Sequence, residues 1–96
     1  MRNYEVLYIL RPNLDEEAVD AAVARFEEAI VKSGGAVNKT DKWGRKRLAY
    51  EIDDQLEGFY VLTTFQAPND FTRELDRLMR ISDEVLRHLI VRLDEN

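Results

Sequence analysis

Five cations and a tryptophan fall within ten residues. Lys39, Lys42, Arg45, Lys46 and Arg47 surround Trp43, and Asp41 is the only acid between 38 and 47. Cationic side chains at this density attract phosphates by displacing condensed counterions, and an indole among them offers a face on which a base or an aromatic partner stacks. The segment sums to +4 in a chain of net charge −5, so the rest of the chain carries −9. A concentrated positive patch on an acidic protein points to one local polyanion contact, because the acidic remainder suppresses non-specific binding. A solvated strand edge kept soluble by Lys and Arg would carry the same residue types. Arg2, beside the chain start, is a further candidate phosphate contact. Such contacts position a nucleic acid with little sequence readout.

No other group of residues supports catalysis. His88 is the only histidine; a general base needs an orienting partner and a catalytic metal site usually needs three ligands, so it reads as a packed or half-exposed strand residue. Ser33 and Ser82 are the only serines, and each sits beside a helix end, where capping explains it. The pairs Glu16–Glu17, Glu27–Glu28 and Asp53–Asp54 fall on a helix start, a helix surface and a turn, whereas hydrolysis by paired carboxylates needs a cleft. Gly34–Gly35 ends a helix rather than starting one, so it is not a phosphate loop. The absence of cysteine removes disulfides, thiolate nucleophiles and thiolate metal sites, and fits a reducing cytoplasm. Arg73, Arg77 and Arg80 interleave with Glu74 and Asp76 at the spacing of a salt-bridged helix surface. The expected protein is not an enzyme and has no cofactor, metal or small-molecule substrate.

The elements that must position the cations follow from periodicity. Residues 3–10 are rich in aromatic and β-branched types, with Tyr4, Val6, Tyr8 and Leu10 on one face and Glu5, Leu7 and Ile9 on the other. Asp15 reads as a helix N-cap, Glu16 and Glu17 suit the first turn, and Val19, Ala22, Val23, Phe26 and Ile30 form one stripe. Lys32 suits the last turn and Gly34 a left-handed cap. In 36–52, Val37, Lys39, Asp41 and Trp43 share one parity, and Leu48, Tyr50 and Ile52 the other. A strand with one buried face changes parity only by inserting a residue, and Gly44 is the natural bulge. Asp53, Asp54 and Gly58 bracket a connection to a strand at 59–65. Pro68 and Asn69 open a second helix with stripe Phe71, Leu75, Leu78 and Met79, Ser82–Asp83 breaks it, and 85–93 is the last strand.

Strand, helix, strand, strand, helix, strand with right-handed crossovers gives an α+β, ferredoxin-like βαββαβ domain: a four-stranded antiparallel sheet with two helices on one face. Residues 1–93 form this single domain and 94–96 are expected to fray. The other face of the sheet has no helix to cover it, yet offers Leu7, Ile9, Tyr60 and Leu62. An apolar open face is a partner surface, and Trp43 is expected to join it or the RNA contact. At 96 residues and 45% hydrophobic composition the chain makes one globular domain, and the apolar run near Met1 is too short for a signal sequence or a membrane span.

The string MRNYEVLYILRPNLDEE, then WGRKRLAYEI, then GFYVLTTF, at these separations, resembles the bacterial small-subunit ribosomal protein S6 family over nearly the whole chain. Trp43-Gly44-Arg45 running into Leu48-Ala49-Tyr50, preceded by Arg2, Tyr4, Glu5 and Pro12, is the most specific part. The resemblance implies the ferredoxin-like fold, a cytoplasmic place in the ribosome, pairing with ribosomal protein S18, and binding of central-domain (platform) small-subunit ribosomal RNA. Two other domains of this topology fit less well. A sheet-face RNA reader of the RRM type needs a basic residue where Glu57 precedes Gly58-Phe59. A ligand-sensing domain of the ACT type binds at the first strand–helix loop, here Arg11-Pro12-Asn13, without a glycine.

Overall fold

The computed structural model describes residues 1–94. Its elements are β1 (Arg2–Leu10), α1 (Glu16–Lys32), β2 (Ala36–Ile52), β3 (Gln55–Ala67), α2 (Phe71–Arg80) and β4 (Val85–Arg92). The four strands form one sheet in the order β2-β3-β1-β4, with every neighbouring pair antiparallel. This is the expected ferredoxin-like arrangement, with β1 central.

Alternation in the strands and the 3.6-residue period in the helices build a single core between the sheet and the helices. Tyr4, Val6, Tyr8 and Leu10 of β1 and Val61, Phe65 and Ala67 of β3 meet Val19, Ala22, Val23, Phe26 and Ile30 of α1 and Phe71, Leu75 and Met79 of α2. Tyr8 packs edge-to-face on Phe26 with centroids 5.3 Å apart, and Phe65 meets Phe71 edge-on at 6.5 Å. Full burial of side chains of this size stabilises by about 1.5–3 kcal/mol each. α1 begins where expected: the Asp15 carboxylate accepts from the Ala18 N–H at 2.8 Å. It ends at Ser33, followed by Gly34 at φ +94°. The arginines of α2 form the expected surface pairs, Arg77 with Glu74 and Arg80 with Asp76.

Three features depart from the sequence reading. First, β2 breaks register three times along β3, between Val37 and Lys39, between Lys42 and Gly44, and between Arg47 and Ile52, where one shift at Gly44 was expected. The first break puts Val37 on the helix side and Lys39 on the open side, so they do not share a face. Second, β3 starts at Gln55, not 59, because a tight turn at Asp53 and Asp54, with φ +51° and +66°, returns the chain at once. Gly58 belongs to the strand rather than to the connection. A Cβ there would lie 2.2 Å from the Ile9 Cγ2, so only glycine lets the ribbon close over Ile9. Third, the Asp94 carboxylate, at the start of the end expected to fray, accepts from the Asn3 backbone N–H at 2.8 Å and its side-chain amide at 2.7 Å. Residues 95–96 lie outside the described residues.

Among the described residues, no helix is long and apolar enough to cross a membrane, and no three His, Cys, Asp or Glu side chains converge as metal ligands.

Candidate nucleic-acid interface

The cationic segment lies on β2, the edge strand of the sheet. Its cations do not form one patch. Lys42 pairs opposite the buried Val61, on the helix side, and its ammonium reaches Asp20 of α1. That bond holds the Lys42 pKa above the ordinary lysine value, so the group stays charged but is already engaged. Beside it, Thr40 donates to Glu27 of α1 at 2.5 Å. Lys39 pairs opposite Thr64 on the open side, with its ammonium 3.5 Å from Asp41.

Beyond Lys42 the strand bulges. Gly44, at φ +90°, pairs with Tyr60, and Trp43 is left as the extra residue. Alternation after Lys42 places the indole on the open side, where it stacks on Tyr60 at 6.2 Å with an interplanar angle of 11°. Lys46 then lies over the indole, 5.9 Å from its centroid. Arg45 and Arg47 alternate to the helix side; Arg45 lines a hollow with Leu14, Val19 and Phe59. Arg45, Lys46 and Arg47 are all exposed, and none forms an ion pair with a described residue. The three therefore straddle the strand edge with their charge free for a ligand.

Arg2 stands apart. It pairs opposite Ala67, while Arg47 pairs opposite Glu57. Ten strand steps put them roughly 33 Å apart along the sheet. Arg2 thus cannot hold the same phosphate as Arg45, Lys46 or Arg47, whose partners lie eight to ten steps along β3 from its own.

The open face carries the expected apolar residues in register. Leu62, Leu7 and Leu89 lie in one row across β3, β1 and β4, and Tyr60, Ile9 and Arg87 in the next. Leu89 is 61% exposed and Trp43 45%. Ile9 needs correcting as a candidate contact residue: it is only 8% exposed, because Gly58 and the buried Leu48 fold over it. Sequence reasoning missed Leu89, Val91 and Tyr50 as members of this surface. The run 85–93 is apolar on both parities, so its outward set is visible only from the pairing of Leu89 with Leu7.

The histidine and the serines weighed for chemistry are each engaged within the fold. His88, 15% exposed at its side chain, bonds Asp76 at 2.7 Å, a partner the sequence did not reveal. Ser33 Oγ donates to the Ile30 carbonyl at 2.6 Å at the end of α1. A hollow of about 600 Å³ does lie at the first strand–helix loop, where a ligand-sensing domain would bind its effector. Its polar rim is self-satisfied, with Arg25 bonding Glu84 at 3.0 Å and Ser82 at 2.9 Å.

Comparison with known proteins gives a consistent result. The family model described as ribosomal protein S6 matches residues 3–92. The chain is 48% identical over 95 residues to the small ribosomal subunit protein bS6 of Carboxydothermus hydrogenoformans, covering 99% of each. It is 53% identical over 92 residues to bS6 of Exiguobacterium sibiricum, covering 96% of this chain and 97% of that one. Among solved structures, the 30S ribosomal protein S6 of Thermotoga maritima superimposes with a TM-score of 0.90 at 30% identity, over 96% of this chain and 87% of the other.

Proposed function

Since the chain belongs to the ribosomal protein S6 family, and so is a structural, non-enzymatic component of the small ribosomal subunit in the cytoplasm, we propose that it binds central-domain (platform) ribosomal RNA as a heterodimer with ribosomal protein S18. The observation that carries this reading is the adjacency of free cations to an uncovered apolar face. Arg45, Lys46 and Arg47 lie along the exposed edge of β2, and the Trp43–Tyr60 stack joins that edge to the row Leu62, Leu7, Leu89.

The phosphate backbone runs along the β2 edge, where Lys46 meets it from the open side and Arg45 and Arg47 from the helix side. Lys42 and Lys39 add charge at the near end while held by Asp20 and Asp41. Arg2 adds a phosphate contact from β1, apart from Arg45, Lys46 and Arg47. S18 seats on the open face over Leu7, Leu62, Leu89, Tyr60 and Trp43, with Ile9 supporting that surface from beneath. A basic partner resolves the conflict between an RNA ligand and a protein of net charge −5. Specificity comes from RNA shape and from the geometry of the pair, as is usual for structured RNA.

The test is binding to a central-domain RNA fragment, with and without S18, at two salt concentrations. Weak binding alone and tight, salt-sensitive binding as a pair is the expected result. Tight binding alone would make the chain a primary RNA binder and overturn the heterodimer reading. No binding in either form would overturn the RNA reading.

A further inference from the structure

The β2–β3 ribbon outruns the sheet. β1 pairs with β3 only from Phe59 to Ala67, so residues 46–58 have no body strand beside them. A two-stranded ribbon is marginal by itself in water. This one also carries the largest irregularity in the fold. Between the pairs Arg47–Glu57 and Ile52–Gln55, four residues of β2 oppose the single Leu56 of β3. Yet this overhang bears Lys46 and Arg47.

Three ties hold it to the body. Leu48 is buried beside Gly58 over Ile9. At the tip, the Arg11 guanidinium forms an ion pair with Asp53. On the open side, Arg87 of β4 donates to the Tyr50 hydroxyl and lies 5.5 Å from the centre of its ring. Arg11 is itself fixed: its Nε donates to the Asp83 carbonyl at 2.7 Å, and its backbone N–H donates to the Glu84 carbonyl at 2.9 Å. The two arginines therefore come from different elements and grip the ribbon from two directions. Tyr50 lies within the four-residue irregularity, so Arg87 ties down the least regular part of the ribbon.

We propose that Arg11 and Arg87 are positioning residues for RNA binding: they clamp the β2–β3 ribbon so that Arg45, Lys46 and Arg47 meet the phosphate backbone in one orientation. The inference rests on the RNA reading above, although the clamp itself can be tested without RNA. Released, the ribbon samples other orientations, and affinity falls by the fraction of time it spends in the competent one.

The experiment compares Arg11→Met, Asp53→Asn and Arg87→Met in the full chain paired with S18, on the central-domain RNA fragment over a range of salt. Methionine keeps most of the apolar stem, and asparagine tolerates the positive φ at Asp53. The expected result is about ten-fold weaker binding, as for a ribbon competent about one tenth of the time, with the salt slope unchanged. Unchanged affinity overturns the proposal. So does a slope that shrinks by about 0.7–0.9 per substitution, which would make the arginines phosphate contacts themselves.

Binding of S18 is measured alongside. Arg11→Met and Asp53→Asn, which lie away from the apolar row, are expected to leave it unchanged; loss of S18 binding in both would overturn the proposal.

The chain has no cysteine, so Glu51→Cys gives a single site for a tethered iron chelate. Hydroxyl-radical cleavage of the RNA is expected at a narrow set of nucleotides, spreading when Asp53→Asn is added. Cleavage that stays narrow overturns the clamp. Amide hydrogen exchange of residues 47–57 in the free protein, expected to quicken in Arg11→Met and Asp53→Asn, reads the clamp separately from RNA binding. If wild-type protein fails to bind RNA but exchange quickens, the RNA reading fails while the clamp stands; if exchange is unchanged, the clamp fails.

Discussion

Trp43 stacks on Tyr60 across a bulge, with ring centroids 6.2 Å apart and planes within 11°. This contact joins the edge strand that carries the cations to the apolar row of the open face. Alternation sends Lys42 toward α1 and its neighbour Trp43 to the open side. The bulge between Lys42 and Gly44 then shifts the parity of the residues that follow, bringing Lys46 to the same side as the indole. Lys46 adds its ammonium over the same indole, 5.9 Å from the ring centre.

Trp43→Ala is therefore expected to separate stability from assembly. Because the indole is half exposed in the free chain, removing the stack costs about 1 kcal/mol of folding stability. At an interface a buried tryptophan anchor is worth about 2 kcal/mol or more. Calorimetric titration with S18 should show affinity reduced about thirty-fold or more, while the thermal midpoint moves little. Equal losses in both would make Trp43 a core residue of its own sheet.

Replacing Arg45, Lys46 and Arg47 together by Ala should shrink the salt slope of RNA binding by the S18 pair by roughly two to three units, at about 0.7–0.9 per lost phosphate contact. Folding should lose only about 0.5–1 kcal/mol, the worth of the exposed contact between Lys46 and Trp43, since the three are exposed and form no ion pair with a described residue. Lys42→Ala is a useful contrast. Its charge is shared with Asp20, so its slope change should be smaller than that of Arg45→Ala. Equal changes would mean the Asp20 bond breaks on binding.

Gly58→Ala tests the closure over Ile9. The added methyl would meet the Ile9 Cγ2 at 2.2 Å. Isoleucine is stiff at χ1 and yields poorly, so a cost of about 1–3 kcal/mol is expected in denaturant unfolding. Combining it with Ile9→Ala makes room for the methyl, and the double variant should be less destabilised than the two single effects summed. Additive losses would show that the ribbon, not Ile9, sets the limit.

Acid should loosen the seam between α2 and β4. Hydrogen bonds from His88 and then Arg80 hold the Asp76 pKa below the ordinary aspartate value of 3.8. A carboxylate depressed in the folded state contributes its stability in full above the unfolded pKa and loses it as pH falls through the folded one. The Asp76→Asn variant should therefore melt slightly below wild type at neutral pH, by a modest margin because the group is partly exposed. The two melting curves should converge well below pH 4. A constant gap down to pH 2 would show that the carboxylate's charge is not what matters.

Much of this protein could be read from residue order alone, for physical reasons that differ by element. α1 was legible to its ends, since Asp15, the stripe Val19 to Ile30 and Gly34 each act within one or two turns of their own position. β1 was legible because its two faces alternate without interruption, and the cationic segment because charge density is a property of composition. The family resemblance rested on the same local strings. None of these depends on where distant residues come to lie. Tertiary structure decided the rest. Pairing with β3 broke the register of β2 three times and so decided which of the five neighbouring cations share a side, Lys39 with Lys46 on the open side and Lys42 with Arg45 and Arg47 on the helix side. A salt bridge to Asp20, forty-two positions' worth of chain folded between Arg11 and Asp53, and the ribbon closing over Ile9 are likewise long-range events. Residue type sets what a side chain can do; only the meeting of strands far apart in sequence decides which of its partners it finds.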